Sequence, residues 1–191
     1  MTPTEGYHPS RVSRQVKLVI VETDRLILRH FDIFDGEAMD RVFTDAEVMY
    51  YGDGVKTREW VRQWLRGWLE DYYQTWGFGM WAVVEKSGRE IIGYCGLSRF
   101  ADRCGPDETE IGYRLARPHW GRGLATEAAR AVRDYGFRTL RLPRLIAMID
   151  PRNAASIRVA EKIGLRYEKD VMFEGFTHPD RVYAIARLAG G

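Results

Sequence analysis

The segment from residue 108 to residue 149 constrains the fold of this chain more than any other. Residues 108–116 alternate as a strand does, residues 122–137 place apolar side chains on one helical face, and residues 145–149 form a short apolar run. A strand, a helix and a second strand in this order require a parallel pair joined by a crossover. We therefore predict a mixed α/β fold in which ligands lie beyond the carboxyl ends of these two strands.

The turn that opens the predicted helix carries two glycines, Gly121 and Gly123, on either side of Arg122. Glycine tolerates positive φ and lets a ligand approach the backbone. The first N–H groups of a helix lack internal partners and carry the positive end of its dipole, so the turn suits an anion such as phosphate. An ordinary tight turn explains the glycines as well. The chain lacks the Gly-x-x-x-x-Gly-Lys-Ser/Thr motif of a P-loop, and Thr126 replaces the third glycine of a dinucleotide-binding turn.

The remaining pattern predicts one domain over residues 17–191, preceded by a flexible polar arm over residues 1–16. Thr57 and Asn153 stand where helix N-caps are expected, Gly164 stands where the last helix ends, and Ser87-Gly88 predicts a hairpin turn. A glycine-containing connector is predicted at 45–56. Strands are predicted at 18–29, 80–85, 91–99, 108–116, 145–149, 165–173 and 181–188, and helices at 35–43, 57–75, 122–137 and 153–163.

Composition indicates a protein that binds neither nucleic acid nor membrane. The 191 residues include 29 Lys and Arg against 27 Asp and Glu, and a formal net charge of +2 is too small to attract either by its field. The apolar runs are too short to span a bilayer, and the N-terminus lacks the apolar core of a signal peptide, which favours a cytoplasmic protein. Cys95 and Cys104 are isolated and predicted to be reduced thiols. The four histidines are scattered, so no metal is predicted.

Several motifs, taken together and in order, resemble the GNAT acyl-CoA N-acetyltransferases. The branch that they resemble contains the ribosomal-protein N-terminal alanine and serine acetyltransferases. The resemblance covers residues 20–188 and implies a twisted, mostly antiparallel sheet of about seven strands, splayed at a central parallel pair and flanked by about four helices. The motifs are Glu-Thr-Asp-Arg-Leu-Ile-Leu-Arg at 22–29, Glu-Ile-Gly-Tyr at 110–113, Gly-Arg-Gly-Leu-Ala-Thr-Glu-Ala at 121–128, Asn153-x-x-Ser156, and Glu-Lys-Ile-Gly-Leu at 161–165.

This resemblance implies acetyl-CoA as co-substrate. The backbone N–H groups of residues 121–126 would hold the pyrophosphate of coenzyme A, and the strand backbone near Leu115 and Ala116 would pair with the pantetheine arm. Trp120 takes the first position of the family's phosphate-binding signature, where Gln or Arg is usual. The implied cofactor-binding residues are Leu115, Ala116, Trp120, Gly121, Arg122, Gly123, Leu124, Ala125, Thr126 and Asn153.

Glu110 and Ser156 are the catalytic residues that the resemblance implies, as general base and general acid. A base is useful because only a neutral amine attacks a thioester, and an α-amine with a pKa of roughly 7.7–8.0 is neutral far more often at pH 7 than a lysine amine near 10.4. A lone strand glutamate is also commonly a solvent-facing charge. Ser156 takes the acid role because Ala160 replaces the tyrosine common elsewhere in the family, but its hydroxyl could equally serve the helix N-terminus.

Three functions are open on the sequence. The acceptor is a protein N-terminal α-amine, or it is a small-molecule amine such as an antibiotic, a polyamine or an amino acid, or the chain binds acyl-CoA without catalysis. Trp60, Trp64 and Trp68 belong to an aromatic-rich block that favours core packing, with an acceptor pocket as the alternative use. A homodimer is one candidate assembly.

Overall fold

The protein is described by a computed structural model over residues 18–100, 107–174 and 177–187. The predicted arm at 1–16 and the Cys104 thiol lie outside the described residues, as does residue 188 at the end of the last predicted strand. Over the described residues, no helix is long and apolar enough to cross a membrane.

Eight strands form one sheet in the spatial order β1-β2-β3-β4-β5-β6-β8-β7. All neighbouring strands are antiparallel except β5 and β6, which are parallel as predicted. The strands are β1 Val19–Glu22, β2 Leu26–Arg29, β3 Met80–Glu85, β4 Glu90–Phe100, β5 Glu108–Leu115, β6 Arg144–Ile149, β7 Arg166–Val171 and β8 Asp180–Ala186.

The single strand predicted at 18–29 was wrong, because this segment forms the antiparallel pair β1 and β2. Thr23 closes the turn between them: its N–H donates to the Leu26 carbonyl at 2.9 Å, and its hydroxyl accepts from the Leu26 N–H at 3.0 Å. Side-chain hydrogen bonds of this kind give the backbone an alternative to strand pairing. The sheet therefore has eight strands rather than seven.

Over the part of the chain that the structure describes, five α-helical segments flank the sheet, and four of them match predicted segments. The helices are α1 Gly36–Phe43, α2 Ala46–Met49, α3 Arg58–Arg66, α4 Leu124–Arg138 and α5 Ala154–Lys162. Helix α3 continues through a π-helical stretch, Gly67–Tyr72, and a last turn, Tyr73–Trp76. Helix α2 lies inside the connector predicted at 45–56, where the sequence predicted no helix. Its single turn is capped by Asp45, whose carboxylate accepts from the Glu47 and Val48 N–H groups.

The helices cover opposite faces of the sheet. On β4, Tyr94 stacks on Phe43 of α1, whereas Leu97 lies beneath Gly136 of α4. Because residues of odd and even number point to opposite faces of a strand, α1 and α4 lie on different sides. Trp60, Trp64 and Trp68 of the α3 segment pack partly buried against the core on the α1 side, as the core-packing prediction expects.

The parallel pair separates soon after it forms. Strands β5 and β6 are paired only at Glu110 and Ile146, while β4 and β5 stay paired along their whole length. This separation opens the sheet at its centre and positions the candidate site.

Candidate active site

A cleft of about 590 Å³ lies where β5 and β6 separate, and every sequence-predicted catalytic residue lines it. Glu110 projects from β5, Asn153 and Ser156 project from the start of α5, and Gly123 marks the start of α4. Of the predicted cofactor residues, Leu115, Trp120, Gly121, Gly123, Leu124, Ala125, Thr126 and Asn153 line the same cleft. The tertiary structure therefore brings together residues that are up to 46 positions apart in the chain, from Glu110 to Ser156.

The backbone of β5 forms one wall of the cleft. The Ala116 N–H donates to the Ile92 carbonyl on β4 at 2.8 Å, so the backbone groups of the preceding residue, Leu115, point the other way, toward β6. The Trp120 indole N–H donates to the Leu115 carbonyl at 2.7 Å. The Ala116 carbonyl accepts from the His119 N–H at 3.0 Å, so both backbone groups of Ala116 have partners within the chain.

The N-terminus of α4 is suited to an anion. Gly123 precedes the helix with φ of 77°, a conformation that favours glycine, and no side chain caps the helix among the described residues. The first intrahelical bond runs from the Glu127 N–H to the Gly123 carbonyl, so the N–H groups of residues 124–126 precede the helical ladder. Helix α4 begins two residues later than predicted because Gly123 adopts this conformation. These donors fit a pyrophosphate.

The Arg122 side chain is not directed toward the same place as these N–H groups. Its guanidinium bonds both carboxylate oxygens of Glu85, the last residue of β3, with Nη1 3.2 Å from Oε2. The His119 Nδ1 lies 3.3 Å from the same oxygen. The hydrogen bond from Arg122 lowers the pKa of Glu85 below its ordinary value. Glu85 was not singled out from the sequence, because its partners lie more than thirty residues away.

Glu110 is fixed across the opening between the strands. Its Oε1 accepts from the Met148 N–H on β6 at 3.2 Å. Glu110 is paired with Ser98 on β4 and therefore lies on the α1 side of the sheet, together with Tyr94. A carboxylate at the mouth of the opening, directed by the Met148 N–H, is placed to accept a proton from a ligand on that side.

Tyr113 and Ser156 meet on the α4 side of the cleft. The Ser156 N–H donates to the Asn153 side chain at 3.0 Å, so Asn153 is the N-cap of α5 as predicted. The Tyr113 hydroxyl donates to the Ser156 carbonyl at 3.1 Å. Burial raises the pKa of Tyr113, which keeps the phenol protonated. From the sequence, Tyr113 is only the last residue of the motif at 110–113, and the structure shows that it lines the cleft.

The α1 side of the cleft carries several carboxylates. Asp150, directly after β6, is bonded by Arg152 at 2.6 Å and has His178 Nε2 at 3.4 Å, and the Arg152 hydrogen bond lowers its pKa. Asp180 also lines the cleft, and burial, with Asp150 nearby, raises its pKa. Tyr51, just past α2, lines the facing wall. This side of the cleft therefore carries two carboxyl groups, of which Asp150 is already bonded by an arginine.

Cys95 does not fit the role of a nucleophile. Cys95 is fully buried on β4, and burial raises the pKa of its thiol. A buried, protonated thiol is a poor nucleophile.

Comparison with known proteins identifies the family. Residues 25–166 match the family described as Acetyltransferase (GNAT) domain. The chain is 40% identical to YkkB of Bacillus subtilis over 84% of this chain and 91% of that protein. Its fold is similar to that of a GNAT-family acetyltransferase from Bacillus anthracis, with a TM-score of 0.74, 30% identity, and coverage of 87% of this chain and 97% of that one.

Two more distant structures share the fold and contain coenzyme A. One is RimL, a ribosomal L7/L12 alpha-N-protein acetyltransferase, with a TM-score of 0.72 and 19% identity over 88% of this chain and 98% of that one. The other is a spermidine N-acetyltransferase from Vibrio cholerae in complex with CoA and spermine, with a TM-score of 0.70 and 16% identity over 86% of this chain and 97% of that one.

The chain belongs to the GNAT acetyltransferase family, as its motifs predicted. It is an acetyl-CoA-dependent acetyltransferase with a mixed α/β fold, in which an eight-stranded and mostly antiparallel sheet contains one parallel pair.

Proposed function

We propose that this protein transfers an acetyl group from acetyl-CoA directly to a primary amine in the cleft between β5 and β6. The observation that carries the proposal is the meeting, in one cleft, of the Glu110 carboxylate and the uncapped N-terminus of α4. The two lie on opposite sides of the opening in the sheet. The acetyl donor and the amine can therefore approach the opening from different faces.

The chain's own backbone supplies the groups that would hold coenzyme A. The N–H groups of residues 124–126 would bind the pyrophosphate, and the Leu115 backbone would pair with the pantetheine arm. The Leu115 N–H, which points toward β6, is also placed to polarise the thioester carbonyl. A backbone donor aimed at developing oxyanion charge contributes ~3–4 kcal/mol.

The chemical step needs one proton removed and one proton supplied. The amine nitrogen forms a bond to the acetyl carbon as the carbon–sulfur bond breaks, and Glu110 takes the proton that the amine loses. Ser156 would supply a proton to the departing sulfur. Because a thiol has a pKa of roughly 8.5, the thiolate is a good leaving group and needs little assistance.

A protein N-terminal α-amine is the acceptor that we propose first. Its pKa lies low enough that it needs less help from a base such as Glu110 than a lysine amine does. The likeness in fold to the L7/L12 alpha-N-protein acetyltransferase is consistent with this choice. A cationic small amine is the second candidate, and the Asp180 carboxylate, which lines the cleft, favours it.

Measuring CoA release with a panel of acceptors tests this proposal. We expect release with peptides that carry free N-terminal Ala or Ser, and no release with the same peptides blocked at the N-terminus. Faster release with spermidine or another polyamine would select the second candidate. CoA binding without acetyl transfer to any amine would overturn the proposed activity and leave an acyl-CoA-binding role.

A further inference from the structure

The buried carboxylate of Glu85 connects the sheet to residues 119–123, the loop that precedes the proposed cofactor-binding end of α4. Glu85 ends β3 and is only 5% exposed. Both of its oxygens are bonded by the Arg122 guanidinium. A charge taken out of water is costly unless it is paired and hydrogen-bonded, so this contact has a strongly preferred geometry.

The same carboxylate also faces the residue that begins the loop. The His119 ring lies between two acids, with Nδ1 3.3 Å from Glu85 Oε2 and Nε2 3.7 Å from Glu90 Oε1. The ligand atoms of these three residues all lie within 4.8 Å of one another. Because Arg122 already neutralises Glu85, a metal cation would meet a positive guanidinium in this group. The arrangement is therefore better suited to holding a loop than to holding a metal.

A second contact holds the other side of the loop. The Arg25 guanidinium donates to the Arg122 carbonyl at 2.9 Å and to the Glu127 carboxylate at 2.6 Å. The Thr23 hydroxyl donates to the same Glu127 at 2.6 Å. Glu85 thus holds the side chains of residues 119 and 122, and the turn between β1 and β2 holds the backbone at residue 122. Gly121 and Gly123, the two neighbours of Arg122, are both at positive φ. Because glycine restricts the backbone little, residues 119–123 have little rigidity of their own.

We propose that Glu85 is a positioning residue for cofactor binding: through Arg122 and His119 it holds residues 119–123 so that the N–H groups at the start of α4 face the pyrophosphate of coenzyme A. The inference rests on the proposed site for coenzyme A. It assigns Arg122 an indirect role, because its charge is satisfied by Glu85 rather than by the ligand. Glu85 lines no part of the cleft itself and touches no reacting atom.

The test is CoA binding by isothermal titration, together with steady-state kinetics, on Glu85→Gln. We expect the Kd for CoA and the KM for acetyl-CoA to rise about tenfold, as loss of a coupled charge contact does. The kcat at saturating acetyl-CoA and the KM for the amine should stay within twofold of wild type. Glu90→Gln is the matched control, since Glu90 is half-exposed and contacts only the outer nitrogen of His119. We expect it to bind CoA as wild type does.

Arg122→Met and the double variant complete the test and cover the case in which Glu85→Gln alone fails to fold. If Arg122 acts through Glu85, the double variant should bind CoA no more weakly than either single variant. If the loss of CoA affinity in the double variant equals the product of the two single losses, Arg122 contacts the phosphate independently, which contradicts the inference. Wild-type CoA affinity in Glu85→Gln, or no CoA binding by the wild type, would also overturn it. A wild type that binds CoA but acetylates no amine would count against the proposed function alone.

Discussion

In the proposed mechanism, Glu110 is the residue on which the chemistry depends most directly. Its Oε1 accepts a hydrogen bond from the Met148 N–H, which directs the carboxylate across the opening between β5 and β6. A carboxylate is a weaker base than an amine, so we expect it to serve best an amine that is already partly neutral at physiological pH.

Replacing Glu110 should separate binding from turnover. We expect Glu110→Ala to bind CoA with wild-type affinity and to lose about 100-fold in kcat/KM, in the range typical for removal of a general base. The loss should be largest at low pH, where most of the amine is protonated, and smallest near pH 9. Wild-type kcat/KM for the variant across pH 6–9 would show that Glu110 is not the base.

Two hydroxyls can supply the proton to the sulfur, and their deletion distinguishes them. We expect Ser156→Ala to lower kcat about tenfold, a modest effect because the thiolate is a good leaving group. Tyr113→Phe is the matched deletion, and it should lower kcat less, since its hydroxyl is occupied by the Ser156 carbonyl. Single-turnover rates at saturating acetyl-CoA measure both. A larger loss in Tyr113→Phe would assign the proton to Tyr113 instead.

At the scale of elements, the proposed anion site is the N-terminus of helix α4, directly after Gly123. We expect Gly123→Asp to abolish CoA binding, because the residue sits at φ of 77° and the added carboxylate would face the phosphates. Gly77→Asp is the control, since Gly77 has φ of 71° at the end of the α3 segment and open space around it. The control should lose stability and retain its affinity for CoA in titrations. Comparable loss of affinity in both variants would show that backbone strain alone explains the effect.

For the whole molecule, we expect arginine–carboxylate pairs, most of them between distant segments, to determine the response to acid. Arg122 bonds Glu85, Arg152 bonds Asp150, and on β6 Arg144 bonds Glu168 of β7 at 2.8 Å as well as Glu108 of β5. In each of Glu85, Asp150 and Glu168, the arginine hydrogen bond lowers the pKa. A carboxyl whose pKa is lower in the folded than in the unfolded chain stabilises the fold above its ordinary pKa.

Stability should therefore fall as the pH drops below about 4.5, where unfolded carboxyl groups begin to bind protons. We expect the Tm to be nearly constant from pH 7 to pH 5 and to decline steeply toward pH 3. In Glu85→Gln the decline should be shallower, because one of the contributing groups no longer titrates. Differential scanning calorimetry over this range measures both. A Tm that does not change down to pH 3 would contradict the assignment of these pairs.

The sequence by itself determined most of the secondary structure and the place of the glycine turn before α4. These features depend on residues close together in the chain: the periodicity of apolar positions predicts helices and strands, and the glycines at 121 and 123 mark the turn. The same local reasoning missed the turn at Thr23 and the short helix α2, because the hydrogen bonds of one side chain, Thr23 or Asp45, define each of them. The order of the motifs identified the family, and the resemblance pointed to Glu110, Asn153 and Ser156 as candidate site residues.

Only the tertiary structure decided how these residues work together. The separation of β5 and β6, the Met148 donor to Glu110, the placing of Tyr113 beside Ser156, and the Glu85 contact to Arg122 all join residues from different elements. Such contacts have no period and no local motif, so the chain must fold before their partners are defined. Local sequence thus decided what most segments become, while packing decided that the Arg122 guanidinium bonds the carboxylate at the end of β3.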